Sequence, residues 1–292
     1  MHLVPSRAPV TPIYHRTALT VKRLRYLTLA FLMVTTGAKA IVIRSDVPDA
    51  KYLIPSSAFP ALVDLPGEGQ GTLIAQRWVV TAGHAIQGYK LMKVRIDGKW
   101  RKVGHVFLYP GFKKEYETVK YAAHHPGLKN WPEIKSALRS MHDLALIELE
   151  RPVRDAAPVR LYTKSDELGK VVEIFGKGAT GNGKAGQYPH SPHRGKLRMA
   201  YNRITRAQGQ WLDYRFDCGP NALPLEGVLG DGDSGGPVLI KSGGKWQLAG
   251  LSDWKHWPKG RTKFAEGVCG QEFSNSRISY YAAWIEHTIK TQ

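Results

Sequence analysis

The stretch GDGDSGGPV, residues 230–238, decides the fold, because Ser234 is either one polar residue in a glycine-rich turn or a side chain set up for chemistry. Alone it leaves both readings open. Glycine reaches positive φ without steric cost, and Asp and Ser close tight turns, so such clusters are common in solvated loops. Two other stretches bear on the choice. In WVVTAGHA (78–85) His84 follows an apolar β-type run, and in MHDLALIEL (141–149) Asp143 directly precedes another. A serine hydroxyl is a weak nucleophile and needs a base; a neutral imidazole near its ordinary pKa supplies one. A buried carboxylate then fixes the imidazole tautomer and stabilises the imidazolium as it forms. The candidate catalytic set is therefore His84, Asp143 and Ser234.

Working outward, short apolar or alternating runs recur from Ile41 onward: ALVDL (61–65), GTLIA (71–75), WVVTA (78–82), KVRID (93–97), HVFLY (105–109), LALIEL (144–149), KVVEIF (170–175), PVLI (237–240) and WQLAGL (246–251). Gly and Pro punctuate them, the pattern of an all-β barrel or sandwich. One helix is predicted, over about 279–289, where Tyr281, Trp284, Ile285, Thr288 and Ile289 share a 3.6-period face. ERPVRDAAPVR (150–160) reads as a connector between halves, a first about 41–150 and a second about 160–292.

Residues 22–40, KRLRYLTLAFLMVTTGAKA, run from a basic cluster through an apolar stretch to a small-residue ending at Ala38 and Ala40. That is the layout of a secretory signal, and its apolar part is too short for a permanent membrane span. Residues 1–40 are accordingly read as an extension with a signal peptide, and 41–292 as one folded, secreted domain, extracellular or periplasmic. Beyond residue 40 there are 36 Lys and Arg against 24 Asp and Glu, a formal +12. Such a field attracts anionic surfaces in general, but no dense basic block marks a specific nucleic-acid site.

The chain order His, Asp, Ser is that of the chymotrypsin solution to this chemistry. In these motifs the sequence resembles the trypsin-like serine endopeptidases. TAGH (81–84) looks like the family's histidine motif, HDLALIEL (142–149) like its aspartate motif, and GDSGGP (232–237) like its serine motif without a change. GVCGQEFSNSRISYYAAWIEHTIK (267–290) looks like the segment that closes the family's fold with a terminal helix. The resemblance covers residues 41–292. It implies two packed six-stranded antiparallel β-barrels with a C-terminal helix and an active site in the cleft between them. It also implies an oxyanion hole from the backbone N–H groups of Gly232 and Ser234, where losing one donor costs on the order of 3 kcal/mol. Protein or peptide substrates, a monomer, and no cofactor or metal are expected. A non-catalytic cationic binding protein on the same scaffold is the alternative.

The resemblance carries expectations about activation and specificity. Ile41-Val42 would become a new N-terminus after cleavage at Ala40, its ammonium pairing with Asp233. A buried carboxylate left without its cation costs roughly 3–5 kcal/mol, enough to disorder the oxyanion loop. Ile43-Arg44 departs from the family's usual glycines. The substrate pocket is expected at Val228, Ser252, Asp253, Trp254, Lys255, Gly267 and Cys269. Val228 stands where trypsin-type members carry an aspartate, so a small or apolar side chain is favoured. Lys255 replaces a glycine in the pocket wall and leaves an acidic preference open; whether Ser252 or Asp253 fills the family serine's place depends on one gap. The family's histidine-loop disulfide is missing, and a Cys218–Cys269 bridge is left open.

Two other patterns are set aside. GATGNGKA (178–185) nearly spells a phosphate-binding loop, but Ala185 follows Lys184 where a hydroxyl is required, and the resemblance makes the segment a flexible surface loop. His124-His125 and His190-x-x-His193 lie in proline-rich chain without nearby acidic or thiol partners, which argues against a metal site.

Overall fold

The computed structural model describes residues 41–124, 127, 129–191 and 195–292. The expected signal peptide, with its cleavage point at Ala40, lies outside the described residues, as do His125 and His193. Through the first half the strands are β1 (Ile41–Ile43), β2 (Leu62–Asp64), β3 (Gln70–Ala75), β4 (Trp78–Thr81), β5 (Lys93–Ile96), β6 (Lys99–Leu108) and β7 (Ala145–Leu149). The second half carries β8 (Val171–Gly176), β9 (Thr180–Asn182), β10 (Gly186–Gln187), β11 (Arg198–Gln208), β12 (Trp211–Arg215), β13 (Gly227–Val228), β14 (Pro237–Ser242), β15 (Lys245–Lys255) and β16 (Glu272–Arg277). Three α-helices complete the fold: α1 (Phe112–Ala122), α2 (Trp131–Ser140) and α3 (Ile278–Thr291).

Two closed six-stranded barrels result, one in the order β2-β3-β4-β7-β6-β5 and the other β11-β12-β16-β15-β14-β8. Every pairing within them is antiparallel. Closure removes the exposed edges that an open sheet would leave. Two hairpins follow from their turn residues. Asp97-Gly98 joins β5 to β6 with φ of 45° and 75°, and Gly243-Gly244 joins β14 to β15 with φ of 56° and 76°, the positive pair that two-residue hairpins demand. The predicted terminal helix is α3, which buries Tyr281, Ile285 and Thr288.

Three features differ from the expectations. The segment Ile41–Ile43 does not open the first barrel: β1 runs parallel to β9 and antiparallel to β13, in a small sheet on the side of the second. Its three residues, Ile-Val-Ile, are all apolar and buried, as suits a central strand of that sheet. GATGNGKA is no loose loop, because Thr180–Asn182 is the strand β9 that covers β1. Finally, α1 and α2 fill the stretch before Asp143. They carry a small core of their own, Phe112, Val119 and Met141.

Cys218 and Cys269 are joined in a disulfide with a Cα–Cα distance of 5.7 Å, inside the normal range. Charged anchors complete the frame. Arg277, at the foot of α3, forks onto the buried Glu167 of the connecting segment at 2.6 and 2.9 Å. Among the described residues no helix is long and apolar enough to cross a membrane.

Candidate active site

Strand register brings the first two candidates together. Thr81 at the end of β4 pairs with Ala145 at the start of β7. His84 lies three residues past the one and Asp143 two before the other, so both leave the barrel at the same rim. There Asp143 makes two hydrogen bonds to His84: the main-chain N–H donates to Oδ1 at 2.8 Å, and Nδ1 lies 2.6 Å from Oδ2. Asp143 is fully buried. A carboxylate bound at Nδ1 leaves Nε2 as the ring nitrogen that can take a proton. Burial opposes the charge on His84, but the charge and hydrogen bond of Asp143 outweigh it and raise the imidazole pKa. Asp143 is held below the usual carboxylate range: burial raises it, and the charge and hydrogen bonds of His84, with a side-chain hydrogen bond from Asp253, bring it down further.

Ser234 comes from the second barrel, just before β14, and lines the same cavity of about 280 Å³ as His84. Its loop is clamped to β3 of the first barrel and to β15 of its own. The N–H of Gln70 donates to the Ser234 carbonyl at 2.7 Å, and the N–H of Gly235 donates to the Ser252 carbonyl at 2.7 Å. Gly235 is required at this approach: a Cβ there would lie 2.2 Å from Thr81 Oγ1 and 2.4 Å from the Gln70 carbonyl oxygen. Gly232 has φ of 83°, a conformation that glycine adopts without strain. Among the described residues the Gly232 and Ser234 N–H groups have no acceptor in the protein, so both remain available as donors.

Asp233, beneath this loop, is completely buried. The ion pair with Ile41 is expected only once cleavage frees its ammonium; in the uncleaved chain that nitrogen is a peptide nitrogen and the backbone belongs to β1. Neutral donors hold the carboxylate instead. Oδ1 accepts from the Gln70 side-chain amide at 2.9 Å and from the N–H groups of Lys177 and Gly178 at 2.9 and 2.7 Å; Oδ2 accepts from the Gly230 N–H at 3.0 Å. Burial pushes the Asp233 carboxyl up to about 6 despite these donors.

Of the expected pocket residues, the structure brings Ser252, Asp253, Trp254 and Lys255 to the cavity beside Ser234. It does not bring Val228, Gly267 or Cys269, none of which is among the residues lining that cavity. Val228 is covered by its pairing with Val42 of β1, Gly267 packs on the Val42 side chain, and Cys269 is tied to Cys218. Lys255 reaches Glu266 at 2.9 Å and also pairs with Asp231, and both carboxylates line the cavity. Burial lowers the Lys255 pKa, but the two carboxylates outweigh it and raise the value. At a bulge in β15 Asp253 turns its carboxyl toward Ser276 and His84.

Several contributors were not singled out from the sequence. Gln70, Lys177 and Gly178 support Asp233. On α1, Phe112 packs its ring against Gly83, beside His84. Glu115 of the same helix accepts from the His142 N–H at 2.8 Å and lies 3.0 Å from its ring nitrogen, fixing the residue before Asp143. The signal available was the spacing Phe112, Tyr116, Val119 on one helical face. One cluster among the described residues, His84, Asp143 and Asp253, has the spacing of metal ligands. The Nδ1 of His84 is occupied there by its hydrogen bond to Asp143.

The model of the family described as Trypsin matches residues 54–285. A beta-fibrinogenase of Macrovipera lebetinus is 28% identical over 226 residues, covering 75% of this chain and 77% of the relative. Snake venom serine proteinase 14 of Crotalus adamanteus is 29% identical over 233 residues, covering 75% of this chain and 76% of the relative. Among solved structures, neuropsin, a serine protease expressed in the limbic system of mouse brain, superposes with a TM-score of 0.58 at 19% identity. That match covers 82% of this chain and 98% of neuropsin.

Proposed function

Because the chain belongs to the trypsin family, we propose that it is a secreted serine endopeptidase that hydrolyses peptide bonds through an acyl-enzyme on Ser234. The observation that carries this reading is the doubly hydrogen-bonded His84–Asp143 pair at the rim of the cavity that Ser234 also lines. In the proposed reaction His84 takes the Ser234 proton as the hydroxyl oxygen attacks the scissile carbonyl carbon. The carbonyl oxygen becomes an oxyanion, which the free N–H groups of Gly232 and Ser234 stabilise. His84 then gives its proton to the leaving amine, and the C–N bond breaks. Water repeats the sequence on the acyl-enzyme, releasing the acid and restoring Ser234. Asp143 keeps the imidazole in the tautomer that accepts at Nε2 and offsets the charge it acquires.

For the residue before the cleaved bond, an uncharged and preferably small side chain fits this account. A cationic side chain would compete with the Lys255 ammonium, and an acidic one would meet Asp231 and Glu266. Signal cleavage at Ala40 would create an ammonium at Ile41, whose register partner Thr180 lies two residues from Gly178, one of the donors to Asp233. Pairing there would neutralise a carboxylate that burial otherwise penalises, stiffening the serine loop.

The test is hydrolysis of denatured casein by the exported protein and by Ser234→Ala, with product ends sequenced. Cleavage by the parent alone, mainly after small uncharged residues, supports the proposal. Cleavage that survives Ser234→Ala refutes the assigned nucleophile. Equal activity of chains starting at Ile41 and at an alanine added before it would remove the activation step.

A further inference from the structure

The bulge in β15 places a second carboxyl group against the His84–Asp143 pair. The register of β15 on β16 shifts between Ser252↔Asn275 and Trp254↔Ser274, which leaves Asp253 out of the ladder. Its side chain is 1% exposed, and its Oδ1 lies 3.8 Å from His84 Nδ1. The ring nitrogen and one oxygen of each carboxyl lie within 4.8 Å of one another. Two carboxylates this close and this far from water do not both ionise near neutral pH. Asp143 has the better claim to the charge, since it accepts both bonds from His84.

Hydrogen-bond donors around Asp253 can be counted. Its Oδ2 lies 2.7 Å from Ser276 Oγ, and the same Oγ lies 3.0 Å from the main-chain carbonyl of Asp143. A serine hydroxyl has one proton, and a carbonyl can only accept. If Ser276 donates to the carbonyl, the contact with Asp253 is a hydrogen bond only when the proton sits on Asp253. Its Oδ1 has no donor among the described residues, which suits the carbonyl oxygen of a neutral acid and would strand half of a carboxylate.

We propose that Asp253 is a neutral carboxylic acid in the working protein and a positioning residue: it donates to Ser276, which in turn holds the backbone of Asp143, and it leaves Asp143 as the single negative charge facing the imidazole. The kinetic part of this inference rests on the protease reading above. The charged and titratable groups that face Asp253 are His84 and Asp143 from the first barrel, Tyr281 from α3, and Lys255 farther along its own strand. Burial first, then the Asp143 charge and a side-chain hydrogen bond with Asp143, push the Asp253 carboxyl well above the carboxylate range, while Ser276 opposes them. Tyr281 is raised by burial and by both carboxyls, so it stays a neutral phenol. When Asp253 loses its proton at alkaline pH, a second negative charge reaches His84. That charge raises the imidazole pKa further.

The decisive measurement needs no turnover. In exported protein carrying Ser234→Ala and carboxyl-¹³C aspartate, the Asp253 resonance is assigned by its loss in Asp253→Asn. It is expected at the shift of a protonated acid at pH 7 and to titrate above that. A carboxylate shift at pH 7 overturns the proposal. In protein with Ser234 intact, Asp253→Asn, a neutral near-isostere, should leave the acid limb of kcat/KM in place, because a neutral acid and an amide present the same charge to His84. An acid limb displaced downward by about one unit or more would show that Asp253 was an anion, and would also overturn it. Asp253→Ser is the second variant should the amide fail to fold, with the same outcomes. Absence of hydrolysis by the parent protein would refute the protease reading while the titration still judges Asp253.

Discussion

Replacing Gly235 by alanine tests whether the serine loop owes its position to close contact with the first barrel. An added Cβ would stand 2.2 Å from Thr81 Oγ1, 2.4 Å from the Gln70 carbonyl oxygen and 2.8 Å from the Ala82 nitrogen, at a residue whose φ is +74°. The left-handed conformation alone costs about 1–2 kcal/mol for alanine, and forcing a methyl into a packed contact adds about 1–3 kcal/mol. Together these predict a loss of about 2–5 kcal/mol, or roughly 4–20 °C in Tm for a domain of this size. Relief of the clash moves Ser234 by about 1 Å, which typically costs about 100-fold in rate. Gly243→Ala is the matched control: its φ is +56°, but nothing lies within 4 Å of the added Cβ. It should lose only the conformational part, about 1–2 kcal/mol, and keep its activity. Thermal unfolding and kcat/KM on one peptide ester read both variants. Equal losses in the two, or full activity in Gly235→Ala, would refute the contact argument.

The Cys218–Cys269 bridge spans a sequence separation of 51, and the chain-entropy model gives it about 4 kcal/mol. Mutating both cysteines to serine should therefore lower Tm by roughly 8–16 °C while leaving the fold visible by circular dichroism. Lys255→Ala removes the cation that Asp231 and Glu266 share, so cleavage after Arg or Lys should rise about tenfold relative to alanine, a change of about 1.4 kcal/mol; a peptide library reads the profile. Activity should appear as pH rises through the raised pKa of His84, because only the neutral imidazole takes the serine proton. Asp143→Asn should shift that limb to lower pH and reduce kcat by about 10⁴-fold, the size expected when the tautomer is lost.

The strands legible in the sequence are those with continuous or alternating apolar runs, β2 to β8 and the pair β14 and β15. Strands β11, β12 and β16 escaped the reading because barrel positions that would ordinarily be apolar carry Asn202, Asp213, Ser274, Asn275 and Ser276, all buried. These are tolerated through partners far away in sequence, such as Ser274 Oγ donating to Asp213 at 2.8 Å, and no local pattern announces such a partner. Helices α1 and α2 were missed for a related reason. Their apolar stripe is short, and α2 is secured by Arg139, which bonds Asp213 at 2.5 Å and offers its carbonyl to Trp211 at 2.8 Å. At the site, the contiguous motifs around His84, Asp143 and Ser234 were readable. The support of Asp233 by Gln70, 163 residues away, was not, and neither was the side on which the Asp253 bulge turns.

The central claim, that Ser234 is an activated nucleophile, is tested most directly by treating the exported protein with diisopropyl fluorophosphate and recording its intact mass and peptide map. The account predicts one adduct, mapped to Ser234 and absent from Ser234→Ala, on a chain that begins at Ile41. No adduct on a folded chain beginning at Ile41, or an adduct on another residue, would contradict it.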